Sequence, residues 1–263
     1  MRTGWILIVA FILCATSLLF SETTEIVVPR ISERITIDDF AGMKARTELA
    51  DKLLLIDGFV QMAPSDGSQP TQNTIVYVAY DAENLYVVFL CFDKDSKKIS
   101  ASLTRRESFG EDEDWVEIYV DTYSDQRRSY CFSANALGVQ WDSRYSETIA
   151  YDDQSGHQPS FDALWYSDGR ITDQGYIVWM AIPFKSMRFP SGENQQWRIL
   201  FGRSIPRTNE YDSWPHRSRD IQGLLTQTSY LNGLKNVAPG KSIQFIPYTS
   251  FRSFRVLDSQ ATP

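Results

Sequence analysis

The stretch "DWVEIYVDTYSDQRRSYCFSANALGVQWD", residues 114–142, decides the fold class. Val116, Ile118 and Val120 alternate with Trp115, Glu117, Tyr119 and Asp121, the period of a half-buried strand. "RSYCFSAN" then sets Tyr130, Phe132 and Ala134 on one face, and "VQWDSRY" returns after a turn. Residues 115–143 therefore read as a three-stranded meander. Its first connection runs from Asp121 to Arg127 and its second from Asn135 to Gly138, where Asn and Gly suit the positive φ of tight turns. Arg128 and Asp121 flank the first hairpin, so an ion pair across it is expected, worth little if exposed.

The pattern continues outward. "TIVYVAYD" alternates, and "DAEN" is a compact hairpin loop. "NLYVVFLCFD" is apolar on both faces, as a central strand covered on both sides should be. "KKISASLTRR", "FDALWYS", "GRIT", "GYIVWMAIP", "WRILFGRSI" and "KSIQFIPYT" are further strand candidates, with "DQG" as a hairpin signal. "AGMKARTELADKLLL" is a place for a short helix, and "PFKSMRF" reads as one helical turn after a strand. "RTNEYDSWPHRSRDIQG", residues 207–223, reads as a long polar loop of the kind that carries function. About ten short strands at this spacing predict an all-β fold, a jelly-roll-like antiparallel β-sandwich with one short helical turn.

Bulk properties agree. The 263 residues carry a net charge of −7, which disfavours a nucleic-acid surface. Thirteen Tyr, fifteen Phe and seven Trp favour pleated, half-buried surfaces. Arg2 followed by "WILIVAFILCATSLLF" reads as a secretory signal peptide over 1–21, cut near Phe20 to Glu22. A retained anchor is the alternative, weakened by the short run and by Thr16 and Ser17. The domain reading is then an irregular N-terminal lead over 22–54, a sandwich over 55–250, and at 251–263 the start of a linker or of a further C-terminal region. Cys91 and Cys131 lie in apolar runs; small core residues are the simpler account, and a disulfide between them is the alternative open to an exported chain.

Taken in order, "QMAPSDGSQPTQNTIVYVAYDAENLYVVFLCFD", "LTRRE", the 114–142 stretch, "FDALWYSDGRITDQGYIVWMAIPFKSMRF" and "IPRTNEYDSWP" resemble the family 9 carbohydrate-binding-like domain. They are most similar to the version at the N-terminus of large exported bacterial proteins that continue into an outer-membrane β-barrel. The resemblance covers roughly residues 55–248. It implies a jelly-roll that binds sugars, often beside glycan-degrading enzymes, with structural calcium in some members. The opening "RITIDDFAGM" departs from the usual start and loses one Trp position. No barrel region follows before Pro263, which leaves open a fragment, a truncated gene or a free-standing domain.

Sugar binding needs flat aromatic faces and planar polar groups. Trp165, Trp179 and Trp197 sit in apolar strands and are expected in the core. Trp115, Trp141 and Trp214 are flanked by charge or turns and are the candidate platforms. Trp214 is favoured, beside Arg207, Asn209, Glu210 and Arg217 on the polar loop. Six carboxylates fall within "ESFGEDEDWVE", residues 107–117. Ordinary solvated acids come first, a calcium site second and a glycosidase pair last. Asp81, Asp93 and Asp121, at strand ends, are calcium candidates or turn residues. No cofactor is required by any motif, structural calcium being the one candidate, and His157 and His216 lack a nucleophile motif.

The resulting expectation is an exported carbohydrate-binding domain, in the periplasm, at the outer membrane or outside the cell. Its partner is a poly- or oligosaccharide, with a membrane β-barrel as a further candidate, and its role is glycan capture or carbohydrate catabolism. The alternatives are a hydrolase acting on O-glycosyl bonds, using Glu107 and Asp114, and a docking domain for a barrel that binds no sugar.

Overall fold

The computed structural model describes residues 25–108, 110–148, 156–158, 160–239 and 247–253. Among the described residues, fourteen strands make two packed sheets. In chain order they are β1 (Glu25–Val27), β2 (Leu54–Ile56), β3 (Val60–Ala63), β4 (Thr74–Tyr80), β5 (Asn84–Phe92), β6 (Trp115–Asp121) and β7 (Arg128–Asn135). Then come β8 (Gln140–Ser146), β9 (His157–Gln158), β10 (Tyr166–Thr172), β11 (Gly175–Pro183), β12 (Asn194–Ile205), β13 (Glu210–Trp214) and β14 (Ser229–Lys235). The smaller sheet runs β10-β11-β5-β4-β2, and the larger runs β1-β14-β12-β6-β7-β8-β9. β12 is long enough to serve two neighbours along one edge. Its first half pairs with β14, its second half with β13, and β13 in turn pairs with β3.

The 114–142 meander is β6, β7 and β8, antiparallel and in continuous register. Val116, Ile118 and Val120 are buried between the sheets with Phe132 and Ala134. Phe89 of the smaller sheet meets Phe201 of the larger edge to face, with ring centres 5.9 Å apart. β5 is buried on both faces because it serves two cores. Val87, Phe89 and Cys91 enter the sandwich interior; Tyr86, Val88 and Leu90 face a second layer formed by Ile35, Ile37, Phe40 and Leu49. That layer comes from the segment read as an irregular lead. It includes one helical turn, Thr47–Ala50, and β1 joins the larger sheet parallel to β14.

Other elements differ from the sequence reading. "KKISASLTRR" holds a 3-10 turn at Ser96–Lys98 and no strand; Asp114 pins it by accepting from the Ser100 amide at 2.9 Å. "FDALWYS" starts as coil and becomes strand at Tyr166, running straight through "GRIT". The polar loop of 207–223 contains β13. Among its charged residues, Glu210 and Asp212 are buried, so hydrophilic composition hid a paired strand. "PFKSMRF" does form one turn, a 3-10 turn at Phe184–Ser186. Most of "KSIQFIPYT" and the whole segment read as a signal peptide lie outside the described residues.

The connections are held by side chains. Asp121 is fully buried and accepts from the amides of Tyr123 (3.0 Å) and Gln126 (2.8 Å), leaving Arg128 exposed and the expected Arg128–Asp121 pair unformed. Asn135 works through its side chain, accepting from the amides of Leu137 and Val139, while Gly138 takes the positive φ of 79°. Cys91 and Cys131 are both free and buried, one in each sheet.

Candidate functional site

The outward face of the larger sheet carries a cleft of about 550 Å³. Strand register assembles its floor. Glu117 of β6 lies beside Ser133 of β7 and, one strand on, Trp141 of β8; Tyr119 lies beside Cys131 and then Ser143. The residues that alternate away from the core are thus stacked into one polar and aromatic surface. Trp115 opens β6 and lies across Ser204 of β12 from Tyr211 of β13. Their ring centres are 6.0 Å apart at 56°. At the other end, His157 of β9 stands edge-on to Trp141, ring centres 5.1 Å apart. The His157 imidazole hydrogen-bonds the Ser143 hydroxyl at 2.6 Å and the Tyr119 phenol at 3.3 Å.

Glu117 is the acid at the centre. Only 5% of its surface is exposed, and it accepts from the Tyr211 phenol and, at 3.5 Å, from the Cys131 thiol. Burial pushes its carboxyl up, against the pull of those two donors and of the Arg217 charge. The Tyr211 phenol is driven well up, by burial first and by Glu117 second. This contact needs Gly202. A Cβ there would lie 2.2 Å from the Tyr211 hydroxyl oxygen and 3.0 Å from Cγ of Glu117. A missing side chain on β12 therefore opens the path by which β13 reaches β6.

Met62, Glu111 and Arg217 complete the walls. The segment bearing Arg217 is fastened to the turn after β3. There, Asp66 accepts from the Ser218 hydroxyl (2.6 Å), the Arg219 amide (3.0 Å) and His216 Nε2 (2.8 Å). Those donors, Ser218 foremost, hold the Asp66 carboxyl down at about 2.

Of the sequence-chosen residues, Trp115 and Trp141 stand in this cleft. Trp214 is on β13 rather than on a loop, and its ring packs toward the interior, 6.0 Å from Phe201. Arg207 pairs with Asp93 at 2.6 Å, Asn209 takes the left-handed position before β13, and Glu210 accepts from the amide and hydroxyl of Thr71, each at 2.7 Å. These three fix β13 from behind. Arg217, noted in the sequence beside Trp214, does line the cleft; Glu117 was weighed only among the acids of 107–117 and His157 only as a triad histidine, and Tyr119 and Tyr211 were not chosen. The alternation of Tyr211 with Ser213 was the available signal for one of them, masked by the charged neighbours.

The calcium candidates do not converge. Asp81 accepts from the Glu83 and Asn84 amides and the Tyr86 phenol, Asp93 from the Asp95 amide and Arg207, and Asp121 from its own turn. Each is a turn anchor whose oxygens already have donors. Among the described residues, the acids that gather are Glu107, Asp142 and Asp162, with oxygens within 4.8 Å of one another. Arg106 sits among them, donating to Asp142 and reaching Asp162 at 3.1 Å and Glu107 at 3.7 Å, so one cation already touches all three acids. Glu107 and Asp114, the residues considered as a hydrolytic pair, are not members of the cleft wall.

The model of the carbohydrate family 9 binding domain-like family matches residues 54–202, more than half of the chain, and the chain belongs to that family. No curated protein sequence matches it. Among solved structures, the fold is similar to a candidate carbohydrate-binding protein from Bacteroides uniformis, with TM-score 0.58 and 11% identity over 79% of this chain and 98% of that one. It is also similar to a family 9 carbohydrate-binding module from Caldicellulosiruptor kristjanssonii solved with cellotriose (TM-score 0.54, 13% identity, 85% and 100% of the two chains). The same organism's module with glucose gives TM-score 0.53 and 14% identity over the same shares. At these identities the likeness establishes the β-sandwich fold.

Proposed function

We propose that this chain is a carbohydrate-binding domain whose sugar site is the cleft between Trp115 and Trp141. The observation that carries the reading is the joining of aromatic faces with fixed polar groups on one open sheet surface. Trp115, Tyr211 and Trp141 offer flat surfaces to the C–H faces of a pyranose ring. Ser133, Arg217 and the Glu117–Tyr211 pair offer hydrogen-bonding groups to its hydroxyls. Family membership and the sugar-bound relatives support the same class of ligand.

The proposal extends to place. The apolar N-terminal run supports export, so the domain would act in the periplasm, at the outer membrane or outside the cell, in glycan capture or carbohydrate catabolism. The motif resemblance supports a membrane β-barrel as a partner region. A structural calcium ion remains a proposal as well, resting on the resemblance alone.

The test is titration of the purified protein with glucose, cello-oligosaccharides and a panel of plant, algal and bacterial glycans, read by tryptophan fluorescence and calorimetry, with and without calcium. Saturable binding that Trp115→Ala and Trp141→Ala each weaken roughly 10-fold or more is expected. Absence of binding to every glycan in both conditions would overturn the reading. Mass spectrometry of the exported product tests cleavage near Phe20 to Glu22.

A further inference from the structure

Arg217 differs from the other arginines that the fold withdraws from solvent. Arg106 and Arg170 have carboxylate partners, Arg198 donates to Thr228, and Arg203 donates to Asn73, Thr74 and Phe92. Arg217 is half-buried in the cleft wall, yet among the described residues its guanidinium makes no hydrogen bond and no ion pair. Its backbone is fixed: its amide donates to the Ser213 hydroxyl at 2.8 Å, and the next residue, Ser218, is bound to Asp66. A planar fork of donors is thus held at the edge of an aromatic cleft with nothing to donate to. Its charge acts through space on Glu117, Tyr119 and Tyr211, but its donors stay open among the described residues, and a ligand that accepts from them adds hydrogen bonds without displacing a protein acceptor.

We infer that the cleft prefers an acidic saccharide, one whose carboxylate is received by the Arg217 guanidinium while its ring lies against the aromatic faces. This rests on the proposal that the cleft is the sugar site. The acids nearby do not occupy Arg217. Glu117 is engaged by Tyr211 and Cys131, and Glu111 is exposed at the mouth. Burial raises the Glu117 carboxyl, and its oxygens already accept from Tyr211 and Cys131. A single guanidinium matches the planar, singly charged carboxylate through two parallel N–H···O bonds. A doubly charged phosphoryl group would call for more cations than this wall supplies.

The experiment compares three oligosaccharides of equal length by calorimetry at low ionic strength: a neutral glucan, a glucuronate-containing chain and a sulfated chain. The glucuronate chain is expected to bind about 10-fold more tightly than the neutral one, a preference that shrinks with added salt. Arg217→Gln should bring the ratio near one, and Arg217→Lys should keep part of it; matched thermal melts report whether each variant is folded. Equal or tighter binding of the neutral chain overturns the inference and leaves the sugar site standing. So does a preference for the sulfated chain, or an acid preference that survives in Arg217→Gln. Failure of all three to bind removes the sugar site and this inference together.

Discussion

Tyr211 of β13 reaches over Gly202 to donate its phenolic hydrogen to Glu117 of β6, spanning the strand that lies between them. The larger sheet has β12 between these two residues, and only the absence of a side chain on that strand lets them meet. Gly202 has no positive φ among its attributes, so space is its role. Gly202→Ala should therefore leave the backbone intact and displace the phenol, with a stability loss of about 1–3 kcal/mol from overpacking. Sugar affinity should fall as well. Calorimetric titration beside a thermal melt reads both.

The three candidate tryptophans should separate into two kinds. Trp115→Ala and Trp141→Ala remove cleft surface, so binding falls roughly 10-fold or more while the melt changes little. Trp214→Ala removes a ring packed on Phe201 and should cost about 2–4 kcal/mol of stability, with any loss of binding following from the loosened strand. Equal stability losses in all three would contradict the assignment of faces.

Asp212 gives a pH signature. It is fully buried on the inward face of β13, and neither of its carboxylate oxygens has a partner. Burial, then the neighbouring Glu210, pushes its carboxyl to about 7, with Arg203 opposing. The folded protein therefore keeps a proton that the unfolded chain releases in the ordinary carboxylate range. The sign follows from linkage: this contribution is whole below that ordinary range and is lost as pH rises through about 7. Asp212→Asn should flatten the decline and, near pH ~8, raise stability by roughly 1–3 kcal/mol. Chemical denaturation across that pH range measures it.

Cys91 and Cys131 should be silent in the native state. Burial raises the Cys91 thiol to about 11 and drives Cys131 well up, where Glu117 adds to the effect. Neither should react with a thiol reagent until the protein unfolds, and a reductant should leave the melting temperature unchanged.

Much of this architecture was legible. The period-2 alternation over 115–120 named the two faces of β6, and the doubly apolar β5 foretold a cover on each side. The cover itself was not legible, because Ile35, Ile37, Phe40 and Leu49 are scattered in a segment with little regular structure, and only tertiary packing makes them a layer. β13 was hidden for the opposite reason. Its charged residues are buried against Thr71 and the interior, an arrangement composition cannot signal. Trp115 and Trp141 were found by their polar flanks. Arg217 was noted only as a neighbour of Trp214, and His157 arrives on a two-residue strand far from β6 in sequence, so no local spacing could join either to Trp115 and Trp141.

The divided edge of β12 has a further consequence. One wall of the cleft hangs from the second half of that strand through β13, while the floor belongs to β6, β7 and β8. The wall is thus a graftable piece. Exchanging residues 206–217 together with β3 would replace that wall while β6, β7 and β8 keep their own pairing, provided the new segment again supplies a donor to Glu117 where Tyr211 stands.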